Sequence, residues 1–402
     1  MLVQAIDCET TIHNKGHPFD QRNKLCAVGT YGNADGAVLQ IEHGENPYGE
    51  NLRLLSDRVP TWDLLVFFNA KFDLTWLWKY GIDLSVKKVW DTQLFEYLAS
   101  NQAWIYPDLE TSCQRRGIST PKERDIEAYW DAGINTTEIP WELIEKRVRV
   151  DAHLTYRLYE EQLKEFNTWP QARKNLFRLH CADLMVLHEI ERNGFYYGEE
   201  ESKAEARKTS ARILDLEGQI KAFAPVDVSV NLNSPQQVSA LLYGGEVWRK
   251  VTTQVGFYKT GQKAGQPKFV TELVAVNMPQ LIVPLKGTKL ADGDHWSSDQ
   301  KVLGRLLNSR LPNGERSDSL LSSKPSRRLL TLLLEYSKEQ RSLSSYTQGL
   351  PNLIKKMNWP KNYLYGKINQ CTVVTGRTSS SQPNLQNFDS NLKHLFRSRY
   401  AT

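Results

Sequence analysis

Three short patterns place carboxylates where they could hold a cation. Asp7 and Glu9 stand two apart at the polar end of the apolar stretch Val3-Gln4-Ala5-Ile6. If that stretch is a strand, both side chains lie on one face of a sheet. Two neighbouring carboxylates repel unless a cation sits between them. The same pattern is common at solvated strand ends, so the pair alone leaves both readings open. Asp73 falls one turn into a helix expected directly after the apolar run Leu64–Phe68, with Asn69 at the N-cap position. The C-terminal ends of strands are where α/β domains open their sites, although an Asp in a first helical turn also simply complements the helix dipole. Asp151 shares a helical face with Leu154 and Leu158, at i+3 and i+7. A carboxylate near that apolar side must be paired, hydrogen-bonded or bound to metal. Four hard oxygen donors would suit Mg²⁺ or Mn²⁺. Two such ions roughly 3.5–4 Å apart can activate water and stabilise a leaving oxygen in phosphodiester hydrolysis.

The elements that must position these residues are partly legible. Strands are expected at 1–11, 25–31, 37–41 and 63–68, and a helix carrying Phe72, Trp76, Leu77 and Tyr80 should end near Gly81. Residues 90–99 read as a second helix, and Pro140 suits the first turn of a long helix from Trp141 to about Phe166. Strands followed by interleaved helices predict a mixed α/β domain to about residue 170. Beyond it lie long helical stretches, Asn175–Arg192 stopped by Asn193-Gly194, Glu199–Phe223, and Ser326 to about Ser345. Residues 248–300 are irregular, with Gly256, Gly261, Gly265 and Pro267 interrupting Lys259, Lys263 and Lys268. A hairpin, a basic flap and a solvated loop all fit that segment. Residues 363–402 show no periodicity.

A chain of 402 residues, 40% hydrophobic and 24% charged, is globular and large enough for two or three domains. Its longest apolar run, Leu64–Phe68, is too short to span a bilayer, which predicts no membrane association. Met1-Leu2-Val3-Gln4 has no basic n-region, which argues against a secretory leader. Five scattered cysteines without a CxxC pair argue against a disulfide framework or zinc site and for a reducing cytoplasm. Net charge is +5, yet residues 1–170 carry 18 Lys+Arg against 26 Asp+Glu, a net of −8, and residues 171–402 carry 33 against 20, a net of +13. That asymmetry suggests acid or metal chemistry on one side and a polyanion surface on the other. A chance fluctuation over two solvated surfaces is the plain alternative.

Asp7-x-Glu9, Asn69-x-x-x-Asp73 with Phe72, and Asp151 resemble the three motifs of DEDD 3′–5′ exonucleases. Tyr129-Trp130-Asp131-Ala132-Gly133 to Thr137-Glu138-Ile139-Pro140 is similar to the phage polymerase version of that domain. The segment Thr375-Gly376-Arg377-Thr378-Ser379-Ser380-Ser381-Gln382-Pro383-Asn384-Leu385-Gln386-Asn387 resembles the TGR-x-SS-x-x-PNLQN signature of family A DNA polymerases. Glu191-Arg192-Asn193-Gly194, Asn231 to Gln237, and Arg341 with Ser345-Tyr346 resemble further segments of that family. The resemblance implies a ribonuclease H-like exonuclease domain at 1–170, a mostly helical thumb at 171–355 with an irregular insertion at 248–300, and the first segment of a palm at 356–402. It implies two Mg²⁺ or Mn²⁺ ions held by Asp7, Glu9, Asp73 and Asp151, with Asn69 supporting the second motif or the substrate strand. It implies a DNA substrate, as a single-stranded 3′ end and as a primer-template duplex touched by Arg341, Arg377, Asn384 and Gln386. Phe72 and Trp76 would stack on a frayed base or, more plainly, fill the core.

Two departures from the family pattern stand out. A Tyr precedes the third-motif Asp by four residues in the family, and here that position is Arg147; the histidine variant would need a His at 146, where Lys146 stands. An Arg stays protonated and cannot act as a base; it could pair with phosphate or with a carboxylate. Either hydrolysis is impaired, or Tyr156 or Glu145 takes over. The second departure is that the polymerase motifs that follow the TGR segment in the family do not occur in the sequence. The expectation is a fragment, or one half of a split polymerase completed by a second chain, working in the cytoplasm of a phage-infected bacterium.

Overall fold

The computed structural model describes residues 1–33, 35–44, 48–120, 125–225, 228–263, 265–308 and 324–397. Val3–Thr10 forms β1, buried along most of its length, so its apolar residues line the centre of a sheet. Leu25–Gly32 (β2) and Gly36–Gln40 (β3) continue antiparallel on one side. Helix α1 (Tyr48–Arg58) leads to β4 (Leu64–Phe67), which runs parallel to β1. Helix α2 (Ala70–Lys79) leads to β5 (Lys88–Asp91), parallel to β4. The sheet order is β3-β2-β1-β4-β5. This mixed sheet with flanking helices is ribonuclease H-like, as the sequence motifs implied.

Helices α3 (Thr92–Ala99), α4 (Leu109–Arg115), α5 (Asp125–Asp131), α6 (Trp141–Thr168) and α7 (Gln171–Asn193) cover the sheet or extend it. Trp90 and Phe95 meet Phe166, Trp169 and Phe177 in an aromatic cluster, with Phe95 stacked on Trp169 at 4.6 Å between ring centroids. Rings of this size contribute most of the buried apolar area, at about 25 cal/mol per Å². Trp76 is wholly buried and donates Nε1–H to the Gly16 carbonyl, so it is a core residue and not a stacking platform.

Residues 90–99 were expected to be one helix. They are instead the end of β5 and then α3, because Val89 and Trp90 pair with β4 and Asp91 caps the helix that follows. Asn69 holds the N-cap position of α2 but does not cap it. Its φ is +63°, a conformation Asn tolerates better than most residues, and its side chain makes no cap bond. Gly194 ends α7 at φ +61°, and a Cβ there would meet the Leu364 carbonyl at 2.9 Å. Only glycine fits that approach without strain.

The chain divides into two compact units, Met1–Glu199 with Leu350–Thr402, and Glu200–Gly349. Sequence boundaries had been drawn at 170 and 355. Helix α7 lies with the first unit because Phe177, Cys181 and Leu184 pack into the sheet's core. The C-terminal part of that unit holds α12 (Gly349–Lys356) and four short strands, β9 (Tyr363–Leu364), β10 (Lys367–Asn369), β11 (Ser379–Ser381) and β12 (Phe396–Arg397). With β6 (Phe195–Tyr197) they form a sheet of order β12-β6-β9 and a β10-β11 pair.

The second unit packs α8 (Glu199–Lys221), α9 (Pro235–Tyr243), α10 (Gln300–Asn308) and α11 (Lys324–Arg341) around leucine-rich faces such as Leu216, Leu241, Leu303 and Leu330. Residues 245–278 resolve the choice left open by sequence. They form a hairpin of β7 (Gly245–Phe257) and β8 (Pro267–Met278), with a bulge between Gln254 and Gly256. Most of its side chains are exposed, including Trp248 at 58% and Leu273 at 61%. Among the described residues, no helix is long and apolar enough to cross a membrane.

Candidate metal centre

Strand β1 and helix α6 build the site. Asp7 and Glu9 project from the same face of β1, as their spacing requires. Helix α6 crosses over β1 and β2 closely enough to bring Asp151 to them. Gly29, paired opposite Asp7 in β2, makes this approach possible, because a Cβ at Gly29 would lie 2.6 Å from the Val148 carbonyl oxygen. One carboxylate oxygen from each of Asp7, Glu9 and Asp151 lies within 4.8 Å of the others, and all three residues are partly buried.

The electrostatics follow from that geometry. Burial, then the neighbouring charges of Asp151, Asp73 and Glu9, push the Asp7 carboxyl well above the usual range. Burial lifts Glu9 to about 7, with Asp151 adding to the rise and Arg147 opposing it. Three carboxylates so close are only partly neutralised by Arg147, and an all-oxygen set of this size fits one hard divalent cation.

Asp73 lies outside this group of three. It is buried, and its Oδ1 accepts the backbone N–H of Cys8 at 2.9 Å, between Asp7 and Glu9 in sequence. Burial raises its pKa although the Cys8 hydrogen bonds oppose the rise. Asn69 lines a cavity of about 170 Å³ with Lys71, Phe72, Tyr106, Tyr365 and Lys367.

Arg147 stands one turn before Asp151 on α6. Its Nε–H donates to Asp151 Oδ2 at 2.6 Å and its Nε lies 3.7 Å from Glu9 Oε1. Its acidic neighbours are thus two of the three clustered carboxylates. The ring of Trp130 lies 6.0 Å from the guanidinium carbon. Glu145 accepts from Arg149 in an ion pair, and the Tyr156 ring packs edge-on against Tyr31.

Sequence reasoning missed the supports of this site. Thr136 Oγ1 accepts from Trp130 Nε1 and donates to the Thr10 carbonyl at 2.6 Å, while Asn135 Oδ1 accepts the Ile12 N–H. These bonds tie the segment before α6 to the end of β1. The run Ile134-Asn135-Thr136 carried no recognisable spacing, since its partners on and just after β1 lie over 120 residues earlier.

The polymerase-like segments lie apart in the chain. Asn384 caps a short 3-10 turn through Gln386 N–H, and Gln386 Nε2 donates to Thr378 Oγ1 at 3.0 Å; both residues and Arg377 are exposed. Arg341, in the second unit, donates to Gln300 Oε1 at 2.9 Å.

A ribonuclease H-like sheet whose central strand and crossing helix bring three carboxylates together is consistent with the metal-binding centre of a DEDD exonuclease domain. Residues 300–401 match the family model described as DNA polymerase family A. The DNA polymerase I of Pseudomonas aeruginosa is 23% identical over 320 residues, covering 79% of this chain and 29% of that protein. The DNA polymerase of Bacillus phage SP01 is 22% identical over 404 residues, covering 93% of this chain and 40% of that protein. Among solved structures, the POL domain of Pol1 from M. smegmatis in complex with DNA primer-template and dNTP aligns with a TM-score of 0.60 and 17% identity, over 96% of this chain and 52% of that one. The chain thus spans well under half the length of these curated relatives. Its sequence is similar to those of family A DNA polymerases, and the structural match extends that likeness to the fold.

Proposed function

We propose that this chain is the 3′–5′ exonuclease and duplex-holding part of a family A DNA polymerase, removing nucleotides from DNA 3′ ends during replication. The observation that carries the reading is the convergence of Asp7, Glu9 and Asp151 on β1 and α6. These three hold divalent metal, and Asp73 fixes β1 between the first two by accepting from Cys8. Bound Mg²⁺ or Mn²⁺ would supply water activation and stabilisation of the leaving oxygen. Asn69 supports the strand entering the site. Arg341, Arg377, Asn384 and Gln386 touch the primer-template duplex, in a half of the chain that carries net +13. Polymerisation requires palm and fingers, supplied by a second chain or a C-terminal part. The setting is the cytoplasm of a phage-infected bacterium, a reading supported by five buried cysteines and the similarity to a phage polymerase.

The test is release of mononucleotides from a 3′-labelled single-stranded DNA in Mg²⁺ or Mn²⁺. Activity should vanish with EDTA and in Asp7→Ala, and a parallel RNA substrate should be cut more slowly. A folded chain that releases nothing with any divalent metal overturns the catalytic reading.

The Arg147 ion pairs favour a second reading, a DNA-binding subunit of a split polymerase with an impaired exonuclease. Binding without cleavage, with hydrolysis gained in Arg147→Tyr, would select it.

A further inference from the structure

We propose that the β7–β8 hairpin is a holding site for single-stranded DNA, with bases stacked on its exposed rings and phosphates beside its lysines. This rests on the reading of the chain as a DNA-processing protein and adds a site for unpaired strand in the second unit. The hairpin is rooted in that unit's core by Val247 and Met278, both buried. Beyond the root both of its faces are largely exposed.

Register decides which rings share a face. Trp248 pairs with Ala275, Lys250 with Leu273 and Gln254 with Phe269, so two-residue alternation puts Trp248, Lys250, Phe269 and Leu273 on one side. The Thr252 and Thr271 hydroxyls, 3.0 Å apart, lie midway along that side. The bulge between Gln254 and Gly256 shifts the alternation by one residue, and Phe257, paired with Pro267, joins the same side. Without the bulge it would face the other way. Trp248, Phe257 and Phe269 are each more than half exposed.

Large rings left in water along a two-stranded ribbon mark a surface that binds something. The charges say what. From Trp248 to Thr271 there are five basic residues, Arg249, Lys250, Lys259, Lys263 and Lys268, and no acidic one. Protein interfaces are enriched in aromatic residues but depleted in lysine. Rings interleaved with lysines suit instead a polyanion that carries flat bases. A duplex would meet the lysines, but its base faces are hidden within its own stack and the rings would stay in water. An unpaired strand satisfies both.

The experiment is binding of a labelled, closed circular dT oligonucleotide to the intact chain in EDTA, read by fluorescence anisotropy, with a blunt duplex as control. The circle has no 3′ end, so capture of an end by the carboxylate centre does not contribute. Trp248→Ala, Phe257→Ala and Phe269→Ala should each weaken circle binding about fivefold or more, the loss of one stacked base, and change duplex affinity by less than about twofold. Phe269→Trp keeps a ring and should bind the circle at least as well as wild type. Changing Lys259, Lys263 and Lys268 together to Gln should make the slope of log circle affinity against log salt shallower by about 2. The three rings are exposed, so thermal unfolding of the variants should match wild type. Equal losses on circle and duplex, or circle binding unchanged in all three ring variants, would overturn the proposal and leave the DNA reading standing. A wild-type dimer that the ring variants abolish, with circle binding unaffected, would make this face a contact between copies and overturn it as well. A folded wild type that binds neither circle nor duplex would overturn both readings.

Discussion

Asp91 caps a helix it does not begin: its Oδ2 accepts the backbone N–H of Ala70 at 2.7 Å, in the first turn of α2. Its Oδ1 accepts Leu94 N–H at 2.8 Å at the start of α3. One buried carboxylate thus satisfies the N-termini of two helices on adjacent parallel strands, and burial raises its pKa against those bonds. Helix α2 carries Asp73, so this cap sets the position of the carboxylate that fixes β1.

Replacing Asp91 with Ala leaves two buried N–H groups unpaired. The expected loss of stability is about 2–4 kcal/mol, the sum of two lost caps. Asp91→Asn keeps one acceptor oxygen but turns an amide NH2 on the other N–H, so it should cost less than Asp91→Ala without restoring wild-type stability. Urea unfolding of both variants checks the order.

Gly29 is required by proximity, not by its backbone angles. A methyl there would meet the Val148 carbonyl at 2.6 Å, so Gly29→Ala must push α6 away from β2. Overpacking of this kind costs about 1–3 kcal/mol. The larger effect should fall on Mn²⁺ affinity, because Asp151 and Arg147 ride on α6. Isothermal titration and thermal unfolding on the same sample separate the two.

His17 should make stability fall in mild acid. Burial, then the positive charge of Lys367, lower it to about 3, with Lys79 adding to the fall and Asp20 opposing it. Its Nδ1 accepts from Trp359 Nε1 at 3.2 Å, which the neutral ring permits. The unfolded chain takes up a proton near pH 6.5 and the folded one does not, so this contribution is complete above pH 6.5 and is lost as pH falls towards 3. At pH 5 the cost is about 2 kcal/mol. His17→Gln, which can still accept from Trp359, should lose about that much less than wild type between pH 7.5 and pH 5, read from urea midpoints.

The exposed β7–β8 hairpin and its turn carry Lys259, Lys263 and Lys268. If they meet duplex phosphates, changing all three to Gln should weaken binding uniformly across sequences. The slope of log affinity against log salt should become shallower by up to about 3. An unchanged slope would place the duplex elsewhere on the chain.

Much of the fold and part of the site were legible because their signals are local. The apolar stretch from Val3 to Ile6 and the helical spacing of Phe72, Trp76 and Tyr80 marked their elements. The Asp7-x-Glu9 spacing by itself puts two carboxylates on one face. What sequence did not show depends on partners far along the chain. Asn69 had the residue type of a cap, but Asp91 does the capping from another strand. Nothing local marks Gly29, whose need for a bare Cα comes from the Val148 carbonyl on α6. The role of Arg147 could be framed as a choice, and three-dimensional proximity to Glu9, 138 residues earlier, was needed to see which partner it meets in this structure.

Glu191 accepts from Lys71 Nζ on α2 and from the Ile368 N–H in β10, while Tyr97 donates to the Val373 carbonyl and Asn358 to Asp20. The first unit is therefore completed by residues translated only after the 150 residues of Glu200–Gly349. On the ribosome, β6 emerges with neither of its neighbours β9 and β12 yet made, leaving both of its edges open. The five-stranded sheet is complete by Asp91, but the partners of β6 arrive only after residue 362, so for most of its synthesis this unit is an unfinished surface in need of protection.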